Sequence, residues 1–264
     1  MSLGENDTYA ELTGPRTNEN GSVVYDTITF GNYPEVTYNT ETFQYEETGE
    51  SKPITWRVLS LQGTDAFLMA EVPVARKPYN EGSIQTDITW ENCTLRSWLN
   101  GYNSTCNVDG KDYSADNFIS KAFTSQEQNA ILSTRVKNED DPESGTVGGN
   151  DTEDKIFLLS MDEACNQEYG FLPIRDDVSG FAYDSARDLK IAGEQWASWW
   201  LRMPVSCKQN SMNGRYVGNG MIMGVYDSYC SFIQDDKSVC PVLHLDLSAC
   251  DTWQKGESVV KVGE

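Results

Sequence analysis

Short stretches in which apolar and polar residues alternate recur along the chain, and they predict β-strands. Residues 27–30 alternate in this way, and residues 54–60 and 66–71 form two further runs around a turn at 62–65. The last third of the chain holds more short runs, separated by Gly, Asn and Asp, at residues 199–202, 216–217, 221–225 and 242–247. The pattern therefore indicates many short strands rather than a few long ones.

Three segments carry signals that are typical of helices. Residues 90–100 place large apolar side chains on one side of a helix. Thr124 and Glu127 have the spacing of a capping box, which predicts a helix to about residue 133, and Ser160 and Glu163 repeat that spacing. Strands flank these helices without a βαβ alternation, so the sequence favours an α+β fold over a parallel α/β sheet.

The polarity of the chain predicts where its folded part begins and ends. Residues 1–25 are polar and show little periodicity, so we expect a flexible N-terminal arm. Residues 26–249 are long enough for a single domain, and residues 250–264 are expected to form a C-terminal tail. Within the domain, the acidic and Thr-rich residues 35–52 indicate a surface loop or hairpin.

The charge balance limits the classes of partner. The chain has 20 Lys and Arg against 41 Asp and Glu, a formal net charge of −21 at pH 7. Such a surface repels phosphate groups, so we expect neither nucleic acid nor an anionic membrane as a partner. The sequence also lacks an apolar run of the roughly 20 residues that a membrane span needs. We expect a monomeric, extracellular or cell-surface protein, although a need for solubility alone also explains the charge.

The residue types that catalysis needs are scarce. His244 is the single histidine of the chain and lies in an alternating stretch, where such a residue is usually structural. The sequence has no H-E-x-x-H zinc motif, no G-x-S-x-G elbow and no Gly-rich phosphate loop. A carboxylate pair of the glycosidase type stays open, because residues that face each other across a cleft are invisible in a sequence. We expect no catalytic activity.

A Gly-rich acidic segment at residues 138–154 is the candidate metal site. Calcium prefers six to eight hard oxygen ligands, which clustered Asp, Asn and Glu side chains supply. The proposed ligands are Asp151, Glu153 and Asp154, although their spacing is not that of an EF-hand. The alternatives are that this segment is a solvated acidic loop and that Asp154 only orients the turn into the next strand. Calcium is the one cofactor the sequence suggests.

Seven cysteines are present, and none of them forms a C-x-x-C pair. An odd number leaves at least one thiol free or paired with another chain. One or two disulfides would fit an exported protein, and a set of reduced, buried thiols is the alternative. Disulfide candidates are Cys207, Cys230 and Cys240.

Polar and aromatic residues alternate irregularly between residues 207 and 235, as they do on sugar-binding surfaces. Aromatic rings there stack on the apolar faces of sugars, and amide, carboxylate or guanidinium groups reach the hydroxyls. The candidate ligand-binding residues are Gln209, Asn213, Arg215, Asn219, Tyr226, Asp227 and Tyr229. We expect a glycan or a protein partner at this surface, with an ordinary polar loop as the alternative.

An ordered set of motifs resembles a family of exported bacterial domains of unknown function. The motifs are Phe30-Gly31-Asn32-Tyr33-Pro34, Pro53-Ile54-Thr55-Trp56-Arg57-Val58-Leu59, Thr94-Leu95-Arg96-Ser97-Trp98-Leu99-Asn100, Asp154-Lys155-Ile156-Phe157-Leu158-Leu159-Ser160 and Trp199-Trp200-Leu201-Arg202. The resemblance covers roughly residues 26–249. Such domains are frequent in exported proteins of Gram-positive gut bacteria. They look like distant relatives of the C-type-lectin-like fold, which formylglycine-generating enzymes share.

The resemblance implies an α+β, C-type-lectin-like domain with short antiparallel strands, two or three flanking helices and long loops. It further implies that residues 199–202 form a core strand and that residues 203–238 are exposed loops that bind a ligand. The last motif departs from the family pattern, because Cys240 precedes Pro241 and His244 takes the aromatic position. The extra cysteines imply cross-linked loops, for instance Cys207 to Cys230 or to Cys240.

We therefore expect an exported surface module that binds a ligand without catalysing a reaction. A structural spacer within a larger surface protein is one alternative. A formylglycine-generating-type oxidase is the other, and it requires a closely spaced pair of reduced cysteines that hold copper. The sequence has no C-x4-C pair, which counts against that oxidase.

Overall fold

The structure, a computed structural model, describes residues 11–82, 86–141, 144–173, 183–196, 198–207, 211–223 and 231–262, with only the backbone of 205–207 and 211–212. Strands account for 39% of it and helices for 13%, and the strands form several mainly antiparallel sheets. The expected α+β, C-type-lectin-like fold is therefore wrong. Its flanking helices are absent as a layer from the described residues, because the longest α-helix there has seven residues.

The elements follow one another with three short helices in the middle of the chain. In order, the strands are β1 (Arg16–Thr17), β2 (Val23–Tyr25), β3 (Thr27–Asn39), β4 (Gln44–Gln62), β5 (Asp65–Ala70), β6 (Ala75–Lys77), β7 (Thr134–Val136), β8 (Thr152–Asp154), β9 (Ile156–Phe157), β10 (Ser198–Cys207), β11 (Ser211–Gly218), β12 (Met221–Met223), β13 (Ser231–Phe232), β14 (Lys237–Val239), β15 (Val242–Asp246), β16 (Gln254–Lys255) and β17 (Val259–Lys261). The α-helices are α1 (Thr94–Asn100), α2 (Phe118–Ala122) and α3 (Ser125–Ala130).

Two six-stranded sheets contain most of these strands. The first has the order β16-β3-β4-β5-β15-β9, and all of its pairs are antiparallel. The second has the order β12-β11-β10-β14-β6, with β13 added beside β11, and it contains the parallel pair β10–β14. Each sheet joins strands from distant parts of the chain, so neither can form until long loops have closed.

The long hairpin of β3 and β4 confirms the prediction that residues 35–52 form a hairpin or loop. The two strands pair from Thr27↔Arg57 to Asn39↔Gln44, with register shifts on either side of the segment 32–34. Near the base, both Ile28 and its partner Trp56 are fully buried. Beyond the base the side chains become mostly exposed. The hairpin therefore projects its tip into solvent while its base forms part of the core.

Residues 11–25 and 250–262 contain strands in the segments where a flexible arm and a tail were expected. β1, β2 and β17 form a three-stranded antiparallel sheet, in which Val24 of β2 lies opposite Val260 of β17. Asp26 accepts hydrogen bonds from Thr13 and Ser258 and pairs with Arg16 at 2.7 Å. Backbone pairing and this buried carboxylate together order segments whose low hydrophobicity suggested disorder.

One of the two capping boxes begins a helix and the other does not. Thr124 and Glu127 form the reciprocal bonds of the box at the start of α3, as predicted. Ser160 and Glu163 make the same two bonds, at 2.8 and 3.0 Å, but only a 3₁₀ helix of three residues follows. The helix predicted there is wrong. A local cap does not extend a helix when the following residues are needed elsewhere in the packing.

Four tryptophans are fully buried and hold the sheets together. Trp56, Trp90, Trp199 and Trp200 each have 0% exposure. The Trp200 indole nitrogen donates to the carbonyl of Lys77 at 2.8 Å, which ties β10 to β6. Residues 199–202 thus lie in a core strand, as the resemblance implied. Removal of one such side chain costs about 3–5 kcal/mol of stability.

Candidate functional site

The residues predicted to bind a ligand divide into buried or half-buried ones and ones outside the described residues. Asn213 and Arg215 lie on β11 with exposures of 4% and 0%, and Arg215 forms an ion pair with Asp141 at 2.5 Å. These two side chains are therefore part of the core rather than of an open surface. Asn219 is half-buried in the turn between β11 and β12, with a φ of 46°. Gln209, Tyr226, Asp227 and Tyr229 lie outside the described residues.

The three residues predicted to bind calcium do not form one site. Asp154 is 1% exposed and accepts hydrogen bonds from Trp90, Arg96, Tyr102 and Thr152. Asp151 forms an exposed ion pair with Arg135. The backbone N–H of Asn138 donates a hydrogen bond to the Asp151 carboxylate, and this bond is the main reason that its pKa is lowered. Glu153 is exposed. Among the described residues, no group of three His, Cys, Asp or Glu side chains is arranged to hold a metal.

Cys93, Cys106, Cys240 and Cys250 are free thiols. Cys240, one of the three disulfide candidates, is fully buried, and burial holds the pKa of its thiol well above the usual value. Burial likewise raises the pKa of Cys93 to about 12. The side chains of Cys207 and Cys230 lie outside the described residues. A cross-link between those two remains a prediction, whereas Cys240 is a buried thiol with no disulfide partner.

His244 is held by its neighbours on the first sheet. Its Nδ1 lies 2.8 Å from an oxygen of Asp65, which is on β5. The imidazole also stacks on Phe67, with 4.6 Å between ring centroids. These contacts give the half-buried side chain a structural role, in agreement with its position on an alternating strand.

A cleft lined by aromatic side chains lies beside the tip of the hairpin, and we call it the aromatic cleft. It has a volume of about 180 Å³. Its main lining residues are Tyr38, Phe43, Tyr45, Glu194, Gln195 and Trp196. Phe43 is 71% exposed and Trp196 is 73% exposed. Large apolar side chains rarely stay this exposed as neighbours unless the surface meets a partner or a ligand.

The hairpin and one loop together position the aromatic side chains. Tyr38 and Tyr45 face each other across the strand pair, with 4.8 Å between their ring centroids. The backbone N–H of Tyr38 donates to the carbonyl of Ala192 at 2.8 Å, which fixes the loop that carries Trp196. Phe43 has a φ of 58°, a conformation that costs on the order of 1 kcal/mol for a residue other than glycine. The tip of the hairpin therefore holds Phe43 in an exposed position although its backbone conformation is unfavourable.

A buried carboxylate forms the polar wall of the aromatic cleft. The side chain of Glu194 is 3% exposed, and one oxygen accepts a hydrogen bond from the Tyr45 hydroxyl at 2.6 Å. Its other oxygen accepts the backbone N–H of Ile191 at 3.2 Å. Burial raises the pKa of Tyr45 well above its usual value, and the hydrogen bond to Glu194 contributes in the same direction. The hydroxyl therefore stays protonated at neutral pH and keeps Glu194 in place.

A second cleft adjoins the first at Tyr45, and we call it the cationic cleft. It has a volume of about 270 Å³, and three basic side chains line it, those of Arg76, Lys77 and Lys121. The guanidinium of Arg76 lies 4.1 Å from the ring centroid of Tyr45 and 3.3 Å from Glu194. These contacts make Arg76 the bridge between the two clefts.

Another cleft, around Arg202, is less suited to a ligand. It has a volume of about 180 Å³ and is lined in part by Arg202 and Glu163. The Arg202 guanidinium is bonded to the Glu163 carboxylate and to the carbonyls of Lys137 and Leu158. The Arg202 guanidinium is thus already paired within the protein, where it joins four segments of the fold.

Comparison with known proteins gives a family for the chain. The family model of a domain of unknown function, DUF6273, matches residues 63–247, which is more than half of the chain. The chain belongs to this family. No curated protein and no solved structure shows detectable similarity to the chain.

The aromatic cleft lies only partly within the DUF6273 match. Glu194 and Trp196 fall within residues 63–247, whereas Phe43 and Tyr45 precede them. Sequence reasoning missed this cleft because its residues come from segments about 150 positions apart. One signal was present, since Phe43 follows the polar residues 39–42 and Trp196 follows Glu194 and Gln195.

Proposed function

We propose that this DUF6273 protein is a ligand-binding module and that its ligand is a saccharide held in the aromatic cleft. The observation that carries the proposal is the exposure of Phe43 and Trp196 beside the fixed carboxylate of Glu194. Exposed rings offer stacking surfaces for the apolar faces of sugar rings. Gln195 and Thr40 line the same cleft and offer hydrogen-bonding groups for sugar hydroxyls, whereas Glu194 is buried and holds Tyr45 in place.

The size of the cleft favours a small ligand over a protein partner. A stable protein interface needs about 800 Å² from each side. A concave site with apolar walls and a few fixed polar groups is typical of small-molecule binding. At about 180 Å³ the aromatic cleft suits one sugar ring at the end of a longer chain.

The proposed cellular setting is the outside of a bacterium. Its support is the net charge of −21 together with the resemblance to exported bacterial domains. Among the described residues, no helix is long and apolar enough to span a membrane. An extracellular module that binds saccharides needs no catalytic group, and we propose a binding role without catalysis.

A glycan array followed by calorimetry on the bound glycan tests the proposal. We expect Trp196→Ala and Phe43→Ala each to weaken binding by roughly tenfold, because each removes one stacking surface. Phe232→Ala is the matched control, since Phe232 is also exposed, at 56%, but lines none of the clefts described above. The control should bind like the unchanged protein.

Two results would contradict the proposal. Absence of binding to every glycan on the array would favour the alternative of a structural spacer. Binding that is lost in Phe232→Ala but kept in Trp196→Ala would move the site to the neighbourhood of β13, close in sequence to Tyr229.

A further inference from the structure

The basic side chains of the cationic cleft are all neutralised within the protein. Each of the three forms an ion pair with a carboxylate of its own. These pairs are Arg76–Glu194 at 3.3 Å, Lys77–Glu81 at 3.0 Å and Lys121–Asp116 at 2.6 Å. Since each pair has no net charge, the cleft offers little attraction to an anionic ligand.

Glu47 is the charged lining residue of the cationic cleft that these pairs do not include. Its side chain is exposed, and no basic side chain of the described residues pairs with it. The strand register is regular from Gln44 to Glu47, so Tyr45 and Glu47 lie on the same face of β4, about 7 Å apart along the strand. An unpaired carboxylate therefore lies beside Tyr45, the residue that both clefts share.

The aromatic cleft is suited to a positive charge as well. The face of an aromatic ring carries partial negative charge and attracts ammonium and guanidinium groups. Tyr45 already holds one such group, because the Arg76 guanidinium lies 4.1 Å from its ring centroid. The rings of Phe43 and Trp196 are open to a ligand, and none of the described lysines and arginines lines this cleft.

The charge of the surrounding hairpin acts in the same direction. Glu41, Glu46 and Glu50 are exposed near its tip, and within the described part of the chain they have no basic partner. Together with the net charge of −21, these carboxylates attract cations and repel anions. The electric field around the hairpin therefore favours the approach of a positively charged ligand.

We propose that the saccharide is an oligomer of amino sugars with protonated amines, of which one ring stacks in the aromatic cleft and one ammonium group pairs with Glu47. The inference rests on the proposed function, and it adds the chemical class of the ligand. Because the aromatic cleft suits a single ring, the ammonium group at Glu47 belongs to the neighbouring ring of the same chain.

Trimers that share one linkage and differ only at carbon 2 test the inference. The glucosamine trimer carries ammonium groups there, the N-acetylglucosamine trimer carries acetamides, and cellotriose carries hydroxyls. The corresponding trimers of the galactose series cover a second ring configuration. In the series that binds, we expect calorimetry to show that the ammonium form binds about threefold to tenfold more tightly than the other two. Added salt should reduce this difference, because ions screen the attraction.

Two neighbouring glutamates of β4 provide the variant and its matched control. Glu47→Gln should reduce the affinity for the ammonium form to about that for the acetylated form. Glu46→Gln changes the net charge equally, but Glu46 faces the opposite side of the strand and lines neither cleft. The hydrogen bond that Glu46 accepts from Asn39 can persist, because glutamine retains one carbonyl oxygen. The control should therefore keep the full preference for the ammonium form.

The outcomes separate this inference from the proposed function. Equal binding of the three forms, or tighter binding of the acetylated one, would overturn the amino-sugar class and leave saccharide binding standing if Trp196→Ala abolishes it. Equal effects of Glu47→Gln and Glu46→Gln would also overturn the inference, because the preference would then come from net charge alone. Absence of all saccharide binding would overturn both proposals.

Discussion

At the scale of single residues, Asp154 joins three segments of the fold. Its carboxylate receives Trp90 Nε1 at 2.9 Å, Arg96 Nε at 2.8 Å and the Tyr102 hydroxyl at 3.0 Å. The side chain is fully buried and the Arg96 side chain is 12% exposed. A buried carboxylate with this many donors acts as a structural acceptor, and it has little remaining capacity for a metal.

The first prediction concerns this carboxylate. Asp154→Asn should lower the free energy of unfolding by about 3 kcal/mol, because it leaves the charge of Arg96 uncompensated in a buried place. Urea unfolding at pH 7 measures the change. Asp151→Asn is the control, since it alters a nearby exposed carboxylate and should leave stability close to that of the unchanged protein. Equal stability of the two variants, or a rise in melting temperature with calcium that Asp154→Asn abolishes, would contradict this role.

Residue identity also shows what the sequence could and could not predict. The burial of Trp199 follows from its position in an apolar strand, and the bonds of Glu127 follow from local spacing. The neighbours of Glu194 do not follow from the sequence, because tertiary packing alone brings Tyr45 and Arg76 to it. The polar and aromatic residues around Arg215 predict a binding surface, whereas an ion pair with Asp141 permits full burial of its side chain.

At the scale of elements, the hairpin of β3 and β4 depends on a bend at Gly31. The residue has a φ of 70°, and the strand register shifts between Thr29 and Asn32. A Cβ at Gly31 would lie 2.4 Å from a ring atom of Phe123 and 2.9 Å from the Ala122 carbonyl oxygen. The bend therefore places β3 directly on the end of α2.

The second prediction compares two glycines of this hairpin. Gly31→Ala should destabilise the protein by at least about 2 kcal/mol, because it adds a steric clash to an unfavourable φ. Gly49→Ala should cost only about 1 kcal/mol, because its φ is 77° but nothing lies within 4 Å of the added Cβ. Thermal unfolding of the two variants measures the difference. Similar melting temperatures would show that Phe123 can move aside.

The elements also explain why the fold class was mispredicted. The hydrogen bonds of both capping boxes form as their spacing predicts. Ser160 and Glu163, however, begin a 3₁₀ helix and not an α-helix. Glu163 binds Arg202 as well as Ser160, so the segment serves a long-range contact. The pairing of β10 with β14 is likewise non-local, and alternation of residues cannot reveal it.

At the scale of the whole molecule, a buried charge cluster joins the chain end to the core. Glu71 forms ion pairs with Arg57 and with Lys261 of β17. Burial alone would raise the pKa of Glu71, but the charges of Arg57 and Lys261 outweigh it, and the pKa lies below the usual value. The stabilisation is thus present at neutral pH and is lost as the pH falls through the lowered pKa.

The third prediction follows from this sign. Glu71→Gln should lower the free energy of unfolding at pH 7 by about 3 kcal/mol, because Arg57 is fully buried. Below a pH of about 4.5, where Glu71 in the unfolded chain becomes protonated, the difference between variant and unchanged protein should shrink. Chemical unfolding from pH 7 to pH 3 measures it. Glu35→Gln, which alters an exposed pair with Lys52, should show no such trend, and a constant difference for Glu71→Gln would contradict the assignment.

The pairing of β2 with β17 has a mechanical consequence. Val23 is the first residue of β2 and lies opposite Lys261, the last residue of β17. The start of β2 and the end of β17 therefore lie at the same end of the pair. A force that pulls on these two points would peel β17 from β2 one residue pair at a time, as a zipper opens. It would not load all the hydrogen bonds at once, as shear does. A force on these two points would therefore separate β17 from β2 before it reached the hairpin and the aromatic cleft.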